Sequence, residues 1–283
     1  MLVWMSQPTP GLVPVEEGKV SPLDRGLLLG DGLFETMWVC GGRAPLLDWH
    51  RERLEEGCRL LGFPVPPWDL AALLAEVTAA NGLAGHGFVR VTLTRGSGPR
   101  GYAPPPQAEP QLLVQAGPWS PVAPDRALRV GLAPWPLPFH PVLSRVKHTS
   151  RLLQVLARIE ADRLGLDDLL WRDADGRLAE SIASNVFWTR QGVVYTPACE
   201  TGCLPGVGRR WVMARLDVQT CLEPPATLEE ADEVFLTNAL TGPVPVRTGL
   251  GRAWPAPGPV AKKLQQEWLS LSGGAGFTAE GLS

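Results

Sequence analysis

Val146-Lys147-His148-Thr149-Ser150-Arg151-Leu152 holds a lysine in a chain that nearly does without lysine. The basic residues number 26, and only Lys19, Lys147, Lys262 and Lys263 are lysines. Arginine serves wherever a plain positive charge suffices. It keeps its proton in a protein, whereas a lysine amine can lose its proton and condense with a carbonyl. Lys147 therefore has two readings, an ordinary surface lysine or an amine kept for chemistry, and its surroundings bear on the choice.

Outward from this stretch the patterning is α+β on both sides. Towards the C-terminus it predicts a helix over 150–164, stopped by Gly165. A hairpin follows around Asp175-Gly176 (strands 168–172 and 177–179), and another around Gln191-Gly192 (185–189 and 193–196). Gly206 opens a helix to about 216, a strand covers 231–237, and a helix over 259–271 begins at a proline. Towards the N-terminus, strands are predicted over 2–5, 12–20, 34–40, 88–94 and 111–115, and helices over 48–61 and 68–80. Leu47, Leu54, Cys58 and Leu61 share one helical face. The proline-rich stretch 117–124 marks a linker between a domain at 1–116 and a larger one at 125–283. The tail from Gly273 is expected to be mobile.

At 283 residues, 45% hydrophobic and 19% charged, the chain is globular. A net charge of −3 gives no reason to expect nucleic acid or an anionic membrane as partner. No apolar run approaches the roughly 20 residues of a spanning helix, and 1–10 lacks the form of an export signal. Cys40, Cys58, Cys199, Cys203 and Cys221 are odd in number and irregular in spacing. No metal site is expected, and free thiols in the cytoplasm are.

Seven pieces in one order resemble the class IV aminotransferases, the fold-type IV enzymes of pyridoxal 5'-phosphate (PLP). They are Ser21-Pro22-Leu23-Asp24-Arg25-Gly26, Gly30-Asp31-Gly32-Leu33-Phe34-Glu35-Thr36, His50-Arg51-Glu52-Arg53-Leu54, Lys147, Glu180 through Phe187, Leu204-Pro205-Gly206-Val207-Gly208-Arg209, and Asp232 through Asn238. The resemblance implies a smaller N-terminal α/β domain and a larger, mixed, barrel-like C-terminal one.

It also implies roles. Lys147 would bond to the cofactor aldehyde, and Glu180 would face the pyridine nitrogen, keeping it protonated so that the ring draws electrons. Arg53 and the backbone at Val207 and Gly208 would cradle the phosphate, with Asn238 and Ala239 beside it. Leu204 would pack on the ring. By themselves these residues keep plainer readings: Arg53 as a helix arginine paired with a neighbouring glutamate, Glu180 as a solvated turn residue, Leu204 as core.

Thr94 through Tyr102, the stretch around Lys147 and Asn238-Ala239-Leu240 with Pro243 through Val246 are similar to the 4-amino-4-deoxychorismate lyases of the family. That resemblance implies formation of p-aminobenzoate and pyruvate, in folate biosynthesis. Thr36 would assist Lys147 in proton transfer. Arg100, Asn238 and Arg151 would bind the substrate, a small molecule. The alternative is an aminotransferase of branched-chain or D-amino acids with 2-oxoglutarate. A homodimer is implied too, and Pro134 to Pro141 is the stretch that would suit an interface.

Overall fold

The computed structural model describes residues 1–65 and 67–273; the tail after Gly273, expected to be mobile, lies outside the described residues. Contacts divide the chain into two units, Met1–Ser120 with Val146–Ser150, and Pro121–Arg145 with Arg151–Ser283.

The first unit contains β1 (Leu2–Met5), β2 (Gly11–Pro14), α1 (Arg25–Leu29), β3 (Gly32–Cys40), α2 (Leu47–Leu61), α3 (Leu70–Ala80), β4 (His86–Thr94) and β5 (Gln111–Pro118). Its strands form an antiparallel sheet in the order β2-β1-β5-β4-β3. Side chains alternate along β3, so Leu33, Met37 and Val39 enter one core with Cys58 of α2 and Leu70, Leu73, Leu74 and Val77 of α3. Leu47, Leu54 and Leu61 line the same core, as their spacing predicted. Gly57 lets α2 approach β3: a Cβ there would meet Leu33 Cδ1 at 2.8 Å. β2 ends at Pro14, short of the predicted 12–20, because Glu17 N–H donates back to the Pro14 carbonyl and turns the chain.

The stretch around Lys147 adds to the free edge of β3. Phe34 N–H donates to the Lys147 carbonyl at 2.9 Å, Thr149 N–H donates to the Gly32 carbonyl at 2.9 Å, and Leu33 bridges His148. Lys147 thus belongs to the first unit by its contacts, although the predicted linker leaves it in 125–283. This edge pairing also explains why the following helix begins at Leu152 and not at 150.

The second unit contains β6 (Leu128–Leu132), α4 (Leu152–Arg163), β7 (Asp168–Arg172), β8 (Leu178–Ser181), β9 (Asn185–Arg190), β10 (Val193–Pro197), α5 (Val207–Met213), β11 (Val218–Cys221), β12 (Glu233–Asn238), β13 (Gly242–Gly249), β14 (Arg252–Ala253) and α6 (Pro259–Ser270). Both predicted hairpins form. Gln191 and Gly192 have φ of 52° and 79°, the left-handed pair that a two-residue hairpin needs. The sheet runs β11-β10-β9-β12-β13-β6-β7-β8, with β14 on β13, and curls into a half-barrel. Its apolar lining includes Leu170, Val186, Trp188, Val234, Leu236 and Val246.

β13 was not expected; Pro243 and Pro245 disfavour a strand between two others. It forms because β6 pairs with it only from Val246 onward, so the prolines lie where one side of the strand has no ladder to complete.

Candidate active site

The predicted site residues fall in both units. In the first, Phe34 and Thr36 lie on one face of β3 and Glu35 on the other. Lys147 Nζ stands 4.5 Å from the centroid of the Phe34 ring, and Arg90 Cζ stands 4.0 Å from it. Arg90 is the cross-strand partner of Thr36. Among the described residues no carboxylate pairs with Arg90, and burial pushes its pKa down. Thr36 and Lys147 are both half-buried.

On the opposite face of β3 the buried Glu35 meets α2. His50 Nδ1 lies 2.6 Å from Glu35 Oε2. Arg53 donates from Nε to Oε1 at 2.8 Å and from Nη2 to Oε2 at 2.6 Å. Burial alone would raise the Glu35 carboxyl, but the charges and hydrogen bonds of Arg53 and His50 outweigh it and hold it at about 2. Burial pushes the His50 imidazole below its ordinary value. The Glu35 charge pulls it up, while Arg53 and Lys147 push it further down. Arg53 is thus held by a fork-to-fork pair, with its remaining nitrogen Nη1 outside that pair. Sequence reasoning offered Arg53 a neighbouring glutamate; the structure pairs it with Glu35, on a strand 18 residues earlier. Glu35 and His50 were quoted within motifs and given no role. The signal was there in the three-residue step from His50 to Arg53, which puts both on one side of α2.

Arg100 is exposed on the loop between β4 and β5.

In the second unit Glu180 stands on β8 as a buried carboxylate. Its Oε2 accepts from Leu204 N–H at 2.9 Å and from Asn185 Nδ2 at 3.5 Å. Asn185 Nδ2 also donates to the Leu204 carbonyl at 2.8 Å. Leu204 is therefore fixed through its backbone on both sides. Asn185, to which no role had been assigned, ties these groups together.

Val207 and Gly208 open α5, where the first N–H groups have no partner inside the helix. Gly208 is packed so closely that a Cβ would meet the Asn238 backbone at 2.8 Å, and a Cβ at Gly206 would collide with Asn185 Oδ1. Asn238 Oδ1 accepts from Leu240 N–H and Thr241 N–H, each at 2.9 Å, and Asn238 Nδ2 donates to Ser184 Oγ at 3.0 Å. Its amide thus shapes the turn that carries Ala239. The neighbouring Thr237 hydroxyl is buried with no hydrogen-bond partner among the described residues. Arg151 is the half-buried residue at the N-cap of α4.

These residues suit PLP. A fixed carboxylate matches a protonated pyridine nitrogen, glycines leave backbone N–H groups approachable by an anion, and a half-buried amine lies beside an aromatic ring.

Relatives of this chain carry two activities. The aminodeoxychorismate lyase of Vibrio harveyi is 30% identical over 79% of this chain and 84% of its own. The crystal structure of 4-amino-4-deoxychorismate lyase from Pseudomonas aeruginosa is similar at 35% identity and a TM-score of 0.81, covering 94% of this chain and 97% of that one. The branched-chain amino acid aminotransferase of T.th., solved in complex with N-(5'-phosphopyridoxyl)-L-glutamate, is similar at 28% identity and a TM-score of 0.84, covering 96% of this chain and 94% of that one. A family model described as amino-transferase class IV matches residues 32–248. That match, over most of the chain, together with the presence of Lys147, Arg53, Glu180 and the 206–208 turn, places the protein in the class IV aminotransferase family.

Proposed function

We propose that the protein is a PLP-dependent lyase that converts 4-amino-4-deoxychorismate to p-aminobenzoate and pyruvate. The observation that carries this reading is the set of groups on one face of β3: the Lys147 amine, the Thr36 hydroxyl and an Arg90 guanidinium without an acid partner among the described residues. An aminotransferase shifts a proton between two neighbouring positions, and one amine suffices. This lyase must take a proton from the ring carbon that bears the nitrogen and give one to the methylene of the departing enolpyruvate. An amine and a hydroxyl on one strand face suit two proton positions. The substrate also carries two carboxylates, which Arg90 and Arg100 suit.

Lys147 and Arg53 hold the cofactor by its aldehyde carbon and phosphate. Val207, Gly208 and Ala239 would offer backbone N–H groups to the phosphate, Leu204 would pack on the ring, and Glu180 would face the pyridine nitrogen. Bound PLP supplies the electron sink. The substrate amine would replace Lys147 at the aldehyde carbon, and the Lys147 amine released by that exchange would take the ring proton. As the ring becomes aromatic its C–O bond breaks, the electron pair leaves on the enolpyruvate oxygen, and Thr36 passes a proton towards the methylene carbon. Aromatisation drives the reaction, so the protein mainly orients the substrate. Asn238 and Arg151 complete the substrate contacts.

A homodimer fits this reading. Leu152, Val155, Leu156 and Ile159 form an exposed apolar stripe on one side of α4. The five free thiols support a reducing compartment, the cytoplasm.

Relatives named as branched-chain aminotransferases match about as closely as the lyases, so the test must separate the two activities. Incubation with enzymatically made 4-amino-4-deoxychorismate, with no keto acid added, should release p-aminobenzoate and pyruvate in equal amounts. Amino transfer from leucine to 2-oxoglutarate, with no p-aminobenzoate formed, would replace the lyase reading by the aminotransferase one.

A further inference from the structure

Arg25 is an arginine in a place where few arginines go. It sits in the first turn of the short helix α1 and is only 5% exposed. Its donors are spent on one stretch of backbone. Nη1 donates to the carbonyls of Gly101 at 3.2 Å and Ala103 at 3.1 Å, and Nη2 donates to that of Tyr102 at 2.9 Å. Nε donates to Asp31 Oδ2 at 2.8 Å. One guanidinium thus collects three consecutive carbonyls of the loop next to Arg100.

The clasp is built in from both ends. Arg25 N–H donates to the Gly96 carbonyl, Gly98 N–H donates to the Leu23 carbonyl, and Asp24 bridges Ser97, so α1 is stitched to the start of the same loop. Gly98 leaves room for the Arg25 side chain: a Cβ there would meet Arg25 Cδ at 2.7 Å. Asp31 also accepts from Arg95 Nε at 2.7 Å, and Arg95 reaches the carbonyls of Leu61 and Gly62 at the end of α2. A single carboxylate, one residue before β3, therefore joins the loop of Arg100 to the strand of Thr36 and the helix of Arg53. The side chain of the clasped Tyr102 stands in solvent, 88% exposed.

We propose that Arg25 is a positioning residue: by clasping the 101–103 backbone it sets where Arg100 presents its guanidinium, and so the affinity for a substrate carboxylate. This rests on the reading of Arg100 as a carboxylate ligand given above. Lysine at position 25 would keep the charge, but as a compact ammonium it lacks the planar fork that spans three carbonyls.

The test is a double-mutant cycle of Arg25→Lys with Arg100→Ala, read as KM and kcat, alongside cleavage at Arg100 by trypsin. Arg25→Lys should raise KM at least tenfold, leave kcat within about twofold, leave the cofactor absorbance unchanged and speed cleavage after Arg100. In the Arg100→Ala background the same change should have little further effect on KM. If Arg25→Lys does not fold, Gly98→Ala displaces the Arg25 side chain from the other side and should give the same KM effect. Independent, multiplying effects of the two positions, or a KM unmoved by a loop that has loosened, would overturn the inference. A wild-type protein that releases no pyruvate would instead sink the lyase reading, and the same cycle would then be read in amino transfer.

Discussion

Glu35 and Arg53 form a two-point pair, Nε to Oε1 at 2.8 Å and Nη2 to Oε2 at 2.6 Å, between a strand and a helix of one unit. The pair fixes the plane of the guanidinium. Because Glu35 is fully buried and also holds His50, removing its charge weakens its hold on both Arg53 and His50.

The Glu35→Gln variant should lose roughly 3–5 kcal/mol of stability, the usual cost of breaking a buried pair. It should also hold PLP more weakly. The pH dependence has a definite sign. The folded carboxyl is held at about 2 against an ordinary value of 4.5, so its contribution is present above about 4.5 and lost as pH falls towards 2. Thermal melts of the wild type between pH 5 and 2 should fall more steeply than those of Glu35→Gln. Parallel curves would show that Glu35 is not the group titrating.

Lys147→Ala and Lys147→Arg should both abolish turnover, by a factor of about 1,000 or more. Arginine keeps the cation but cannot give up its proton. Borohydride treatment of cofactor-loaded wild type should fix the cofactor on the peptide containing Lys147. Label on another peptide would remove the basis of the proposed chemistry.

Gly208→Ala would drive a methyl group into the Asn238 backbone, which is 2.8 Å from that position. Phosphate and PLP affinity should fall at least tenfold, and the melting temperature in excess cofactor should fall with it. Equilibrium titration of the cofactor absorbance measures this. Unchanged affinity would mean that the 206–208 turn does not serve the phosphate.

Charge on the α4 stripe should dissociate the proposed homodimer. Leu156→Glu or Ile159→Glu puts a carboxylate on an exposed apolar side of the helix, where it costs the isolated chain little. Light scattering should move from twice the chain mass to once, with the unfolding of the monomer little changed. A wild type that is monomeric at all concentrations would contradict the homodimer.

Much of the site was legible because single residues carried the signal. Lys147 stood out against a composition that favours arginine, and Gly206 marked the start of a helix that the structure opens at Val207. Other roles were hidden because they exist only between distant residues. The partner of Arg53 lies 18 residues away on β3, and the guanidinium of Arg25 reaches a loop more than 70 residues on. β13 was missed for a related reason: its prolines disfavour a strand unless the neighbouring strand leaves them unpaired, which is a matter of sheet register.

The sequence by itself determined the α+β alternation, the helix faces, the hairpin turns and the presence of an amine, an acid and a glycine turn that opens a helix. These follow from local periodicity, backbone preference and side-chain chemistry, which act within a few residues. The tertiary structure decided which groups meet. It laid Lys147 along the edge of β3, turned Glu35 towards α2 while Phe34 and Thr36 took the other face, and curled the second sheet with its prolines where no ladder had to be completed. Those outcomes depend on pairing register and on the burial of charge, and both are settled only when the whole chain packs.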